Sequence, residues 1–189
     1  MMMKRFPLVL LFVILAYTPS FSQAQAVRPR RVNLEPISLK GVDGRVYDIT
    51  SLRGGVTLLS FGATWCQPCS EELRALEELK KEYKGRPVNF YWVSVERPEE
   101  ITDKKLHEYA KKHKLSFPVL RDPFKWSFMQ FAQIVRLPMV VFFDQSGNFV
   151  APRHVGYSIG DPDLYKQTMR SEINKILAGQ SNARDIGTR

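Results

Sequence analysis

The chain has 189 residues, 44% hydrophobic and 25% charged, with no internal repeat or low-complexity tract, enough for one domain with a substantial core. Its formal net charge of +9 raises the question of nucleic acid or an anionic surface as partner. The basic residues are scattered, however, and alternate with acids in EELRALEELKKEYKGR and DKKLHEYAKKHK, the pattern of solvated helix faces, so no nucleic-acid binding is expected.

Residues 1–26 carry Lys4 and Arg5, then an apolar run from Phe6 to Tyr17, a Thr-Pro-Ser break and small residues, the grammar of a secretory signal peptide. Twelve apolar residues reach about 18 Å as a helix, against about 30 Å of hydrocarbon, so a stable span is the weaker reading and an uncleaved anchor the alternative. Ser22-Gln23-Ala24 and Ala24-Gln25-Ala26 both fit the small-x-small cleavage pattern. Removal of the segment lowers the formal charge to about +7 and leaves about 163 residues, one ordinary domain. Residues 27–33 read as a Pro- and Arg-rich leader, 34–177 as the domain, and 178–189, which lack periodicity, as a flexible tail.

ISLKGVDGRVYDITSL predicts a hairpin turning at Asp43-Gly44. VTLLSFGA, 56 to 63, is a continuous apolar run that predicts a strand buried on both faces. From Cys66 the period changes: Cys69, Leu73, Leu76, Leu79 and Tyr83 recur every three or four residues, predicting a helix to about Lys84, with Gly85 past its end. VNFYWVSV, 88 to 95, is a second buried strand. A mixed-charge helix follows from about Glu99 to Lys114, with Leu106, Tyr109 and Ala110 inward, and then a short strand in 117 to 122. Asp122-Pro123 reads as the N-cap and first turn of a helix with Phe124, Phe128, Phe131 and Val135 on one face; Phe124, Phe128 and Phe131 are assigned to the core, and Trp126 stays open. MVVFFDQSGNFVAPRHVG reads as a second hairpin, and 162 to 177 as a helix with Leu164, Met169, Ile173, Ile176 and Leu177 as its apolar positions. The order argues for a mixed sheet with helices on both faces.

The two cysteines, Cys66 and Cys69, are the only ones in the chain and stand in FGATWCQPCSEEL. A disulfide across two residues closes too small a loop to be an effective staple, so the pair serves chemistry or a metal. A thiol reacts as its thiolate, and the first turn of a helix offers free N–H groups and positive dipole charge to that anion. Cys66 sits where a buried strand hands over to a helix, and Cys69 lies on nearly the same face, within reach of the Cys66 sulfur. Pro68 lacks an N–H, which costs little in a first turn and stiffens the loop.

Strand, Trp65-Cys66-Gln67-Pro68-Cys69 and helix, followed by an isolated Pro138 before a ββα ending, resemble the thioredoxin fold. With the hairpin at 37 to 52, the GATWCQPC context, the extra helical segment before Pro138 and the export signal, the chain resembles the TlpA/ResA-like thiol:disulfide oxidoreductases over about residues 34 to 177. The resemblance implies an α/β fold, thioredoxin-like, with a mixed central sheet flanked by helices and an N-terminal β-hairpin extension. It also implies an exported protein, in the bacterial periplasm or at the outer face of the cytoplasmic membrane, that reduces disulfides in protein substrates. Cys66 would attack and Cys69 resolve. Trp65, Gln67, Pro68, Leu137 and Pro138, the last matching a cis-proline, would bind substrate. No cofactor beyond the Cys66–Cys69 disulfide is implied; a membrane thiol carrier would donate electrons, and a monomer is expected.

Two positions depart from the pattern. Where thioredoxin carries a buried acid on the strand leading into the site, Ser60 stands here; Glu96, at the end of the second strand, falls about where ResA-like proteins carry an active-site glutamate, and the resemblance implies a catalytic carboxylate near Cys69 with a raised pKa suited to taking the resolving thiol's proton. Met139 follows Pro138 where the family often has a hydroxyl residue, which bears on which substrates fit. Gln67-Pro68 adds no positive charge beside Cys66 and so favours a reductase over an oxidant. The alternative is a copper- or other metal-handling protein using Cys66, Cys69 and a distant His154; His107 and His113 do not share a helix face and read as surface residues, and no structural metal site is expected. A peroxidase with a single reactive cysteine in a Pro/Thr-rich loop does not match GATWCQPC.

Overall fold

A computed structural model describes residues 34–157 and 161–186; the segments read as signal peptide and leader lie outside the described residues. Seven strands form one sheet. At its centre β3 (Val56–Gly62) is buried at all seven positions, as its unbroken apolar run predicts for a strand covered on both faces. It runs parallel to β4 (Val88–Ser94), which runs parallel to β5 (Val119–Arg121), and antiparallel to β6 (Met139–Phe143). The β1 (Ser38–Gly41) and β2 (Val46–Asp48) hairpin extends the sheet beyond β5, and β7 (Phe149–Val155) closes the other edge.

Between β3 and β4 runs α1 (Gln67–Glu82), which starts on Cys66 as N-cap and ends with Lys80 and Lys81 in its last turn, where cations suit the helix dipole. Leu73, Leu76 and Leu79 are fully buried beneath it, each contributing roughly 1.5–3 kcal/mol. Helices α1, α2 (Asp103–Lys112) and α4 (Pro162–Ile186) cover one sheet face over a core that includes Leu58, Trp92 and Phe142. The other face, with Leu59, Phe61, Val93 and Phe143, is covered by Ile49 of a 3-10 turn (Ile49–Ser51) and by Phe128 and Phe131. Along the seam between α1 and α4, Lys166 pairs with Glu78 at 2.6 Å, Arg170 with Glu82 at 2.6 Å, and the Tyr83 hydroxyl donates to Asn174 at 3.1 Å.

Four sequence expectations need correction. The second helix begins at Asp103, not Glu99, because the Thr102 hydroxyl accepts the Lys105 amide and caps it there. The helix expected from Asp122 onward shrinks to one turn, α3 (Trp126–Met129). The Asp122 carboxylate is buried and accepts the Phe128 amide at 2.8 Å, while Lys125 adopts a left-handed conformation (φ +59°), so regular helix cannot start earlier. Phe128 and Phe131 are core as expected, but Phe124 is 65% exposed and Val135 40% exposed. Finally, α4 continues past Leu177 to Ile186, and Leu164 points outward while Tyr165 takes the inward place.

Gly62 ends β3 where a side chain has no room. A Cβ there would lie 2.5 Å from Nε1 and 3.0 Å from Cε2 of Trp92, a fully buried ring that cannot step aside. Gly62→Ala is expected to cost about 1–3 kcal/mol by overpacking, read as a lower urea midpoint; an unchanged midpoint would show that the ring has freedom the packing denies it.

Candidate active site

The chain leaves β3 at Gly62, turns through Ala63, Thr64 and Trp65, and enters α1. The Cys66 amide donates to Ala63 O at 3.2 Å, which tightens this turn. Cys66 then occupies the N-cap with extended backbone, and its Sγ accepts the Cys69 amide at 3.2 Å. This amide is one of the free donors that a helix start presents, and it is aimed at the Cys66 sulfur, where it would stabilise a thiolate. Cys66 and Cys69 are joined in a disulfide. Cys66 is the outer sulfur, with 6% of the residue exposed, and Cys69 is fully enclosed. Cys66 is thus the more accessible of the two, although little of it reaches solvent in this disulfide form. Trp65 stands 70% exposed beside the pair, Gln67 is exposed and Pro68 half-buried.

From the other side, the loop before β6 reaches the pair. The Leu137–Pro138 bond is cis, and Leu137 packs on the small apolar cluster of Ala63, Cys66 and Cys69. The Pro138 carbonyl accepts the Gly156 amide at 2.8 Å, fastening the loop to the end of β7. Every residue expected at the site thus lies on the end of the sheet where β3 stops and β6 begins.

Two buried carboxylates flank this end. Glu96, 3% exposed, accepts the Thr64 amide at 2.8 Å, the Thr64 hydroxyl at 2.6 Å and the Ser94 hydroxyl at 3.0 Å. Its hydrogen bonding is directed at the segment that leads into Cys66, which it pins. The other carboxylate was missed in the sequence. Glu72 follows Cys69 by three residues on α1, hence on the same side of the helix, with Cβ atoms about 5–6 Å apart for such a pair. It is fully buried; Ser60 Oγ donates to it at 2.7 Å and the Tyr165 hydroxyl at 2.6 Å. Burial pushes its carboxyl up to about 7, against the opposing pull of the Tyr165 and Ser60 hydrogen bonds. Ser60 thus occupies the strand position of the expected acid and serves as donor to an acid supplied by the helix. The signal was present: in Cys69, Glu72, Leu73 and Leu76, the glutamate falls within the inward-facing stripe.

The histidines are dispersed. His107 is exposed, His113 packs on Tyr109, and His154 lies edge-on to Phe142. Among the described residues no three or more His, Cys, Asp or Glu side chains gather as metal ligands, so His154 does not complete a site with the two sulfurs.

The AhpC/TSA family model matches residues 33–151. The chain belongs to the AhpC/TSA family. Within it, the chain is similar to the thioredoxin-like protein YneN of Bacillus subtilis, 30% identical over 158 residues that cover 78% of this chain and 87% of YneN. It is also similar to the thiol-disulfide oxidoreductase ResA of Geobacillus thermodenitrificans, 30% identical over 125 residues that cover 65% of this chain and 69% of ResA. The crystal structure of a putative thiol:disulfide interchange protein DsbE from Chlorobium tepidum shares the fold, with a TM-score of 0.60 and 21% identity over 74% of this chain and 94% of that one. This AhpC/TSA member is therefore a thiol-disulfide oxidoreductase of thioredoxin-like fold, and the TlpA/ResA-like resemblance holds.

The buried acid has a measurable signature. Because the Glu72 carboxyl is raised from 4.5 to about 7, the folded protein keeps a proton that the unfolded chain releases. Its stabilising contribution is complete below about pH 4.5 and is lost as pH rises through about 7, an effect on the order of 3 kcal/mol. Glu72→Gln does not titrate, so its urea midpoint should fall less than the wild type's between pH 4.5 and 7.5; parallel curves would place the titration of Glu72 outside this window.

Proposed function

We propose that the protein is an exported disulfide reductase acting on protein substrates through Trp65-Cys66-Gln67-Pro68-Cys69. The observation that carries this reading is the asymmetry of the pair: the outer sulfur receives a helix-terminal amide, and the inner one is enclosed one helical turn before a buried carboxyl raised to about 7. Export rests on the signal-like segment 1–26 and places the protein in the periplasm or on the outer face of the cytoplasmic membrane. There it would act as a monomer, with its own disulfide as the only redox group.

In the reduced protein the Cys66 thiolate attacks one sulfur of a substrate disulfide and forms a mixed disulfide, releasing the other substrate sulfur as a thiolate. Cys69 then gives its proton to Glu72, which at neutral pH has both protonation states available. The Cys69 thiolate attacks Cys66 Sγ, the substrate leaves with its second sulfur reduced, and the Cys66–Cys69 disulfide described here is the product. Two electrons pass from the pair to the substrate, and protons complete its two thiols. A dithiol donor, for which a membrane thiol carrier is the fitting class, must reverse this state. Leu137, whose backbone N–H and C=O take no partner among the described residues, is placed to pair with an extended substrate segment beside the sulfurs. An oxidised apocytochrome c is one substrate of this description. Glu96 supports the reaction by holding Thr64.

Cys69→Ser should accumulate substrate proteins as covalent adducts on Cys66, visible as higher-mass bands on non-reducing gels that collapse with reductant and vanish in the Cys66→Ser, Cys69→Ser double variant. Trapping by Cys66→Ser instead would exchange the two roles. The reduction potential should lie nearer thioredoxin's roughly −270 mV than DsbA's roughly −120 mV, and a value close to the latter would make the protein an oxidant. Glu72→Gln should flatten the pH dependence of the resolving step near pH 7, whereas Glu96→Gln should leave its midpoint in place; the opposite result would assign the proton to Glu96.

A further inference from the structure

Apart from Val46 and Leu164, every large hydrophobic side chain that is exposed among the described residues comes from the disulfide end of the sheet. The parallel strands β3, β4 and β5 all finish at this end, and β6, antiparallel to β3, begins there. An apolar concentration confined to one end of a molecule marks an interaction surface.

Part of this surface is built for exposure. Phe124 and Trp126, 65% and 75% exposed, stack on each other with ring centroids 5.2 Å apart. Between them Lys125 takes a left-handed conformation that an L-residue adopts at a conformational cost, and its amide donates to Asp122 O at 2.9 Å. The buried Asp122 carboxylate holds the Phe128 amide, so the loop is fastened from beneath while both rings face outward. One helical turn on from Trp126, Met129 continues the apolar surface into an open cleft of about 590 Å³ between the segment before Pro138 and β7. Ile134 and Val155 add to its apolar lining, beside Gln130 and Gln133, and Arg136 and Arg153 are its charged residues. Both arginines are exposed, and neither side chain makes an ion pair or hydrogen bond among the described residues.

We propose that the Phe124–Trp126 stack and the Arg136–Arg153 cleft form a docking surface for an extended segment of the substrate protein that is rich in apolar and acidic residues. This inference rests on the reductase reading and specifies its substrate class. Strands in a sheet lie about 4.8 Å apart, so the ends of β5 and β3 are roughly 10 Å from each other, a span of a few extended residues. A segment lying on Phe124 and Trp126 and reaching the cleft crosses the disulfide end on its way. The free guanidinium groups select carboxylates, and because Cys66 barely protrudes, a substrate has to lie flat on this end to bring its own sulfur into contact. A lipid surface would also accept exposed aromatic residues, but it would cover Cys66.

The test uses the full chain and a fluorescently labelled twelve-residue peptide without cysteine, containing Leu, Phe and Asp, with a control in which Lys replaces Asp. Fluorescence anisotropy should show the acidic peptide binding at least ten-fold more tightly than the control, with the difference shrinking in 0.5 M NaCl. The double variant Phe124→Ser, Trp126→Ser should weaken binding of the acidic peptide about ten-fold, and Arg136→Gln, Arg153→Gln should remove the discrimination against the control. All variants should reduce a small aromatic disulfide at the wild-type rate, because none of these four residues handles the exchanging sulfurs. Wild type that binds neither peptide, or variants that bind as wild type does, would overturn the docking surface while the small-disulfide assay still upholds the reductase; loss of that assay in wild type would instead remove the reductase reading. Co-sedimentation with phosphatidylglycerol vesicles that is abolished by the aromatic substitutions, with peptide binding intact, would hand the stack to lipid and overturn the proposal.

Discussion

The Cys69 amide meets the Cys66 sulfur at 3.2 Å only because β3 stops and α1 starts within a few residues of each other, and much of the surrounding architecture keeps that junction in place. The central strand is locked between β4 and β6, so its end cannot drift. The helix is fixed from below by Leu73, Leu76 and Leu79, which sets the direction in which its first amides point. Thr64, midway between strand and helix, is held by two hydrogen bonds from its amide and hydroxyl to Glu96. Pro68 removes one amide from the first turn and stiffens it, leaving the Cys69 amide to serve the sulfur.

A thiol pair at a helix start still needs somewhere for a proton to go. In the proposed reaction a carboxyl on the helix itself, one turn beyond the inner sulfur, would take it without placing charge in the strand, and Ser60 and Tyr165 supply its hydrogen-bond donors in the core. The arrangement divides labour between two acids of similar burial. One accepts from three donors and fixes backbone; the other accepts from Ser60 and Tyr165 and has its carboxyl raised by burial.

What could be read from the residues follows from how directly each signal reports burial. Continuous apolar runs located β3, β4 and β6, because strands covered on both faces tolerate little else, and Cys66, Cys69 and Pro138 stood out because their chemistry is scarce in the chain. Glu72 was obscured by its surroundings: in SEELRALEEL, where four glutamates stand within eight residues, it looks like another solvated charge until Tyr165, 93 residues later, is brought against it. Phe124 failed for a different reason. Its three- and four-residue spacing to Phe128 and Phe131 is helical, but a helix was never formed there, since Asp122 gathers the amides that would have begun it and Lys125 turns the backbone the other way. Local period cannot register a carboxylate that reaches six residues ahead.

The seam between α1 and α4 has a bearing on how protons travel. Glu78 and Glu82 sit one turn apart on the outer side of α1, with Lys166 and Arg170 matching them on α4, while inside the same seam Tyr165 closes on Glu72. The acid is therefore fully buried one helical turn beyond Cys69, with Tyr165 of the last helix closed on it. Lifting that helix means parting two ion pairs and the phenol's bond together, a cooperative breathing motion rather than a local flicker. With Glu72 as the acceptor of the Cys69 proton, as proposed, its access to water would be tied to the mobility of the last helix, and ionic strength, by loosening the outer pairs, would act on redox chemistry at one remove.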